Sequence, residues 1–172
     1  MKYEEKESAN MEHLWAPWRM DYILSNRKGR KCIFCPVGKQ ADEKRLIIHR
    51  TSLSLVMLNQ YPYSYAHLMI APVRHVHDVS KLKAEEMKDI LYNLGQSISI
   101  LKKAFCPTGF NVGMNLGRVG GAGILYHLHF HVIPRWKGDM NFMPMLAEVR
   151  VIPEHLKQTY NKLRLYFKKL EN

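Results

Sequence analysis

His127-Leu128-His129-Phe130-His131-Val132-Ile133 sets three histidines one residue apart and closes on Pro134-Arg135-Trp136. Side chains of an extended strand alternate between its faces. Leu128, Phe130 and Val132 therefore point one way and the three imidazoles the other, about 6–7 Å apart. One face of the stretch belongs to a core and the other to chemistry. A single histidine on an apolar strand is usually a satisfied core residue, but packing has no use for three in register. Imidazole titrates near neutral pH and serves as base, nucleophile or metal ligand.

Upstream of this strand, Gly117-Arg118-Val119-Gly120-Gly121-Ala122-Gly123 is a glycine-rich turn, preceded by an alternating strand over Phe110–Leu116. The pair reads as antiparallel neighbours. Glycines let backbone N–H groups approach an anion closely, so the turn is a candidate phosphate cradle, with a merely tight turn as the bland alternative. It is neither a Walker loop nor a dinucleotide fingerprint, since no Lys-Ser/Thr follows and a strand comes next.

Further out, Leu82, Met87, Ile90, Leu91, Leu94, Ile98, Leu101 and Phe105 recur at three and four residues. They predict one long amphipathic helix over Lys81–Phe105, capped by Asp78 or Ser80 and ended by Pro107. Arg45–His49 and Ser52–Leu58 read as a hairpin, and His67–Pro72 as a third strand. A short strand over Glu148–Ile152 and a last helix opened by Pro153, carrying Leu156, Tyr160, Leu163, Phe167 and Leu170, complete the pattern. Strands around one long helix, with a helix at the end, predict an α+β fold with a mainly antiparallel sheet. Residues 1–12 read as a disordered tail and 13–172 as a single domain. Trp15 and Trp18 bring a large apolar payload just inside it.

The chain has 172 residues, 47% of them hydrophobic, enough for one domain with a real core. No apolar run approaches the ~20 residues of a membrane span, and Met1–Asn10 lacks the apolar segment of a signal peptide, so a cytoplasmic protein is expected. A formal charge of +11 suits anionic partners without choosing among them. It is equally the charge of a lysine-rich solvated surface. No aromatic-interleaved basic stripe appears, which makes nucleic acid an unfavoured partner.

Three cysteines do not make a disulfide framework, and two of them form Cys32-Ile33-Phe34-Cys35. A Cys-x-x-Cys pair is half a zinc site needing two more ligands; a redox dithiol and inert cysteines remain the other readings.

The strand His127-Leu-His129-Phe-His131-Val-Ile resembles the signature of the histidine triad (HIT) family of nucleotidyl hydrolases and transferases. The wider pattern comprises Leu14-Trp15-Ala16-Pro17-Trp18-Arg19, the Cys32/Cys35 pair, Asn59-Gln60-Tyr61-Pro62-Tyr63, the glycine turn and Pro134–Phe142. It is similar to the branch containing bacterial diadenosine tetraphosphate phosphorylases. The resemblance implies a HIT-like fold, a homodimer and a nucleotide substrate. By the same resemblance His129 would be the nucleophile toward an α-phosphate, His131 would contact the phosphate and leaving oxygen, and His67 would support the site. Asn59 falls at a ribose position and Asn115 near the α-phosphate, while Trp136 could cover the phosphates. His75 and His127 match zinc-binding positions, which would complete a structural zinc site with Cys32 and Cys35. The chain departs from many family members in having Gly121-Ala122-Gly123-Ile124 before the triad, without amide or hydroxyl. Phosphate contacts there, at Gly121 and Gly123, would come from backbone N–H groups.

Three function classes follow. The first is a dinucleoside polyphosphate phosphorylase with inorganic phosphate as acceptor, or its hydrolytic counterpart acting on phosphoramidates or dinucleotides. The second is a metal-dependent enzyme with His127 and His129 as ligands. The third is a nucleotide-sensing or RNA-binding module.

Overall fold

The computed structural model describes residues 32–35, 41–139 and 154–170. The expected tail, the Trp15/Trp18 segment and the Glu148–Ile152 strand lie outside them. In chain order come β1 (Ile47–Arg50), β2 (Ser54–Leu58), β3 (Leu68–Pro72), α1 (Ala84–Phe105), β4 (Gly109–Gly113), β5 (Phe130–Arg135) and α2 (Leu156–Lys168). The strands form one sheet in the order β1-β2-β3-β5-β4, every pair antiparallel. This is the expected α+β arrangement. No helix among the described residues is long and apolar enough to cross a membrane.

β2 and β3 are buried along their whole length, because both faces of the sheet centre are covered. One face, with Val56, Leu58, Leu68, Ile70 and Val132, packs under α1 and α2 through Ile90, Leu101, Leu163 and Phe167. The other carries Ile47, Leu55, Met57, Met69 and Ala71 against Phe34. Each such buried side chain contributes about 1.5–3 kcal/mol. β1 is an edge, and α2 blunts it: the Tyr160 hydroxyl donates to the Ile47 carbonyl at 3.2 Å and Arg164 to that of Ile48 at 3.3 Å.

α1 starts later than its periodicity predicts. Asp78 does cap, but it caps a separate 3-10 turn, Val79–Lys81, by accepting from the Ser80 N–H. The helix proper opens with the Glu86 carboxylate accepting from the Lys83 N–H at 2.9 Å, and Arg74 holds Glu86 from the other side. That pairing draws the Glu86 carboxyl down to about 2. The buried stripe is Glu86, Ile90, Asn93, Ser97, Ile100 and Leu101, whereas Met87 and Leu91 of the expected stripe face outward. A polar seam with the sheet takes part of this face. Asn93 donates to the Ser54 hydroxyl at 3.0 Å, while Asp89 accepts from Ser54 and Thr51. Cys106 ends the helix in the left-handed region (φ 49, ψ 48), and Pro107 prevents continuation.

Candidate functional site

β5 lies between β3 and β4, with Leu68 opposite Val132, Met69 opposite His131 and Val112 opposite Val132. The alternation of the triad holds: Phe130 and Val132 join the helix-side core, and His127, His129 and His131 are buried on the other side. The ladder begins only at Phe130. Ahead of it the Leu128 N–H turns to the Val76 carbonyl at 2.6 Å, and the loop after β3 folds in beside the first two histidines.

Hydrogen bonds assign the protons of the imidazoles. A carbonyl can only accept, so His129 donates from Nδ1 to the His127 carbonyl at 2.9 Å and its Nε2 keeps a lone pair. Burial lowers the basicity of this ring, against the opposing pull of that carbonyl. The Tyr63 N–H donates to His67 Nδ1 at 3.1 Å, and the Asn59 amide nitrogen lies 3.2 Å from the same atom. Neutral His67 must then carry its proton on Nε2 and give it to His131 Nδ1 at 2.9 Å. His131 is left as an Nε2–H donor. Two aromatic rings bracket the group: Tyr63 stacks on His67 at 5.2 Å, and Phe34 on His129 at 4.8 Å. A lone-pair nitrogen beside a hydrogen-bond donor is the equipment for nucleophilic attack at an electrophilic phosphorus.

His127 turns away from this chemistry. Its Nε2 donates to the Pro72 carbonyl at 2.8 Å, which leaves Nδ1 as an acceptor 3.2 Å from Cys32 Sγ and 3.8 Å from Cys35 Sγ. Cys35 Sγ lies 3.0 Å from His75 Nδ1. Donor atoms of Cys32, Cys35, His75 and His127 all fall within 4.8 Å of one another. A tetrahedral zinc with bonds of about 2.0–2.3 Å needs edges of roughly 3.3–3.8 Å, so the four fit the ion with small adjustments. An imidazole ligand whose second nitrogen is tied to a carbonyl is the usual supporting arrangement. Burial brings the His127 imidazole down to about 4, with His75 and His129 adding to the fall, so it stays a neutral donor. Burial raises the Cys35 thiol, the adjoining Cys32 adds to this, and Arg45 opposes it. The donors gathered around His127 are Cys32, Cys35 and His75, and His129 is not among them.

The structure brings His67, His129, His131 and Asn59 into one network and Cys32, Cys35, His75 and His127 into another. Asn115 sits at the glycine turn, its amide reaching the Gly121 carbonyl at 3.4 Å. Gly121 has φ +81 and takes the left-handed conformation the turn requires. Its N–H, however, donates to the Arg118 carbonyl at 3.0 Å, and that of Ala122 to Gly117 at 3.1 Å. The expected cradle therefore closes partly on itself, and Gly123 follows in the next bend. Trp136, next after β5, has its Nε1 donating to the Phe105 carbonyl at 3.1 Å and its ring against Tyr65, both of which pack on the helix-side core. Arg135 is held by Asp139 and Asn111.

Three participants were not foreseen. Arg45 donates to the Cys35 carbonyl at 2.7 Å and to that of Cys32 at 2.8 Å, clamping the cysteine segment. Phe34 is fully buried against two of the histidines. Tyr63 acts through its backbone N–H as much as its ring. An apolar pair between two cysteines was the available signal for Phe34, and the Asn59–Tyr63 stretch for Tyr63; Arg45 had none.

A family model described as the HIT domain matches residues 40–138. Over 157 residues the chain is 34% identical to a protein of Mycobacterium tuberculosis named AP-4-A phosphorylase, covering 87% of this chain and 80% of that one. It is 30% identical over 126 residues to the adenosine 5'-monophosphoramidase hnt1 of Schizosaccharomyces pombe, covering 73% of this chain and 90% of that one. A crystal structure of a zinc-bound histidine triad family protein from Mycobacterium smegmatis superposes with a TM-score of 0.59 at 20% identity, over 73% of this chain and 86% of that one, a likeness of fold.

Proposed function

The chain belongs to the HIT domain family, and from that premise we propose that it is a dinucleoside polyphosphate phosphorylase working through a nucleotidyl-histidine. The observation that carries the reading is the His129 Nδ1–H bond to the His127 carbonyl, which presents Nε2 unprotonated beside the His67–His131 pair. Nε2 attacks the α-phosphorus and the bond to the bridging oxygen breaks, releasing a nucleoside polyphosphate. The Nε2–H of His131 donates a hydrogen bond to the phosphoryl or leaving oxygen. Inorganic phosphate then attacks the same phosphorus, the P–N bond breaks, and His129 is regenerated. The M. tuberculosis relative's name supports diadenosine tetraphosphate as substrate. Asn59, adjoining His67, is the candidate ribose contact; Asn115, Gly121 and Gly123 border the glycine turn.

Cys32, Cys35, His75 and His127 would hold a structural zinc, which would fix the cysteine segment against the start of the catalytic strand. A homodimer belongs to the same proposal, supported by β4 at the edge of the sheet among the described residues, where Val112, and Leu116 just beyond the strand, are half-open to solvent. So does a reducing, cytoplasmic setting, supported by the Cys-x-x-Cys pair placed beside two histidines in metal-ligand geometry.

A hydrolytic variant of the same mechanism has an observation in its favour. Two N–H groups of the glycine turn and the guanidinium of Arg135 are already engaged, which thins the apparatus for a second anion. Product analysis separates the two. With diadenosine tetraphosphate in millimolar phosphate, ATP and ADP are expected. ATP with AMP as the main partner would overturn the phosphorylase assignment and leave the nucleophile standing.

A further inference from the structure

We propose that Phe34 is a positioning residue for His129, its ring fixing the plane of the nucleophilic imidazole from the segment that carries Cys32 and Cys35. The proposal rests on the reading of His129 as nucleophile. Phe34 is 0% exposed, seated among Ile47, Leu55, Met57, Met69 and Ala71 of the sheet's second face. Its ring meets His129 at 4.8 Å and 30°, a stacked contact, and His127 at 5.2 Å and 54°. One hydrogen bond, to the His127 carbonyl, leaves an imidazole free to tilt about that bond. Phe34 closes this freedom on one side, and His131, edge-on at 4.9 Å and 75°, completes the frame. The contact also suits the reaction. Nucleotidylation at Nε2 with Nδ1–H retained makes the ring a cation, and an aromatic face attracts a cation more than a neutral ring. Phe34 itself is held by its neighbours in sequence, whose carbonyls Arg45 grips. The cysteine segment and the nucleophile are thereby linked through side-chain packing as well as through the backbone of His127.

The test compares the full chain with Phe34→Leu and Phe34→Met, each keeping an apolar side chain and removing the ring. Zinc content, melting temperature, kcat and KM for diadenosine tetraphosphate are measured, with long-range 1H–15N spectra of histidine-labelled protein to read the His129 tautomer. The expected result is a kcat lower by about 10–50-fold with KM within about threefold and zinc retained. The single Nδ1–H form of His129 should give way to averaged signals. A kcat within twofold of the parent, or a loss of turnover that only follows loss of zinc, overturns the proposal. Where Phe34→Leu loses its metal, the more adaptable Phe34→Met decides. Failure of the parent to turn over any dinucleoside polyphosphate would remove the proposed function, while the tautomer comparison would still judge Phe34.

Discussion

Replacing His67 by leucine removes one buried imidazole and strips three groups of their partner. His131 Nδ1 loses the 2.9 Å donor, the Tyr63 N–H its 3.1 Å acceptor, and the Asn59 amide its 3.2 Å contact. Leaving a buried polar atom unsatisfied costs about 1–3 kcal/mol. His131, buried like His67, bears that cost in full, whereas Tyr63 and Asn59 are half-buried and recover part of it from water. The total comes to about 2–4 kcal/mol, or roughly 5–12 °C in melting temperature for a chain of this size. Turnover suffers separately. Without the His67 Nε2–H, His131 is free to protonate at Nδ1, and the Nε2–H donor is present only part of the time. We expect kcat to fall about 10–100-fold even at a temperature where the variant is fully folded. Urea unfolding and steady-state kinetics read the two effects independently. A variant with unchanged midpoint and kcat within twofold would refute the assignment of His67 as the group that sets the protonation of His131.

His129→Ala should lose at least about 10³ in turnover, some 4 kcal/mol of barrier, and still bind nucleotide; retention of a tenth of the activity would exclude His129 as nucleophile. Purified protein should contain one zinc per chain by elemental analysis, and Cys32→Ser should lose metal and melting temperature together, because metal binding is linked to folding. Zinc that survives this substitution would rule out the four-donor site. Among the glycines, a Cβ at Gly120 would fall inside 3.0 Å of the Leu116 carbonyl oxygen, whereas one at Gly95 meets nothing within 4 Å. Gly120→Ala should therefore destabilise by about 1–3 kcal/mol and Gly95→Ala, in a helix interior, stabilise by about 0.5–1 kcal/mol; equal effects in urea titrations would contradict the turn geometry.

The alternation at residues 127–133 was legible because period two is a local property, and the structure keeps imidazoles and core residues on opposite sides. The start of β5 was not, because Leu128 is captured by Val76 from a loop some fifty positions away in sequence. Periodicity likewise found α1 and most of its core face, with Ile90 and Leu101 buried and Leu82, Leu94, Ile98 and Phe105 packed against the same core. It missed the polar part of that face: Met87 and Leu91 turn outward, and Asn93 is buried where Ser54 and Asp89 hydrogen-bond it. The gathering of Cys32 and Cys35 with His75 and His127 was anticipated through a family resemblance, and no spacing rule could have derived it. The resemblance suggested a phosphate cover for Trp136 and was silent on its packing: the alternation of β5 carries an even-numbered residue to the helix side, where the Phe105 carbonyl takes its indole N–H.

β5 is hydrogen-bonded on both edges, to β3 and to β4, with Val132 paired to Leu68 and to Val112. The chemistry proposed for His129 thus depends on a parity. One residue inserted or deleted between His129 and Val132 would hand the core an imidazole and the reaction centre a valine or phenylalanine, and neither neighbouring strand could slide to repair it. A descendant lineage can vary the length of the glycine turn, which lies outside the ladder, but inside the triad only even-numbered changes keep faces and roles aligned. Folding and the proposed chemistry are read from the same count, so a slip there should cost both together.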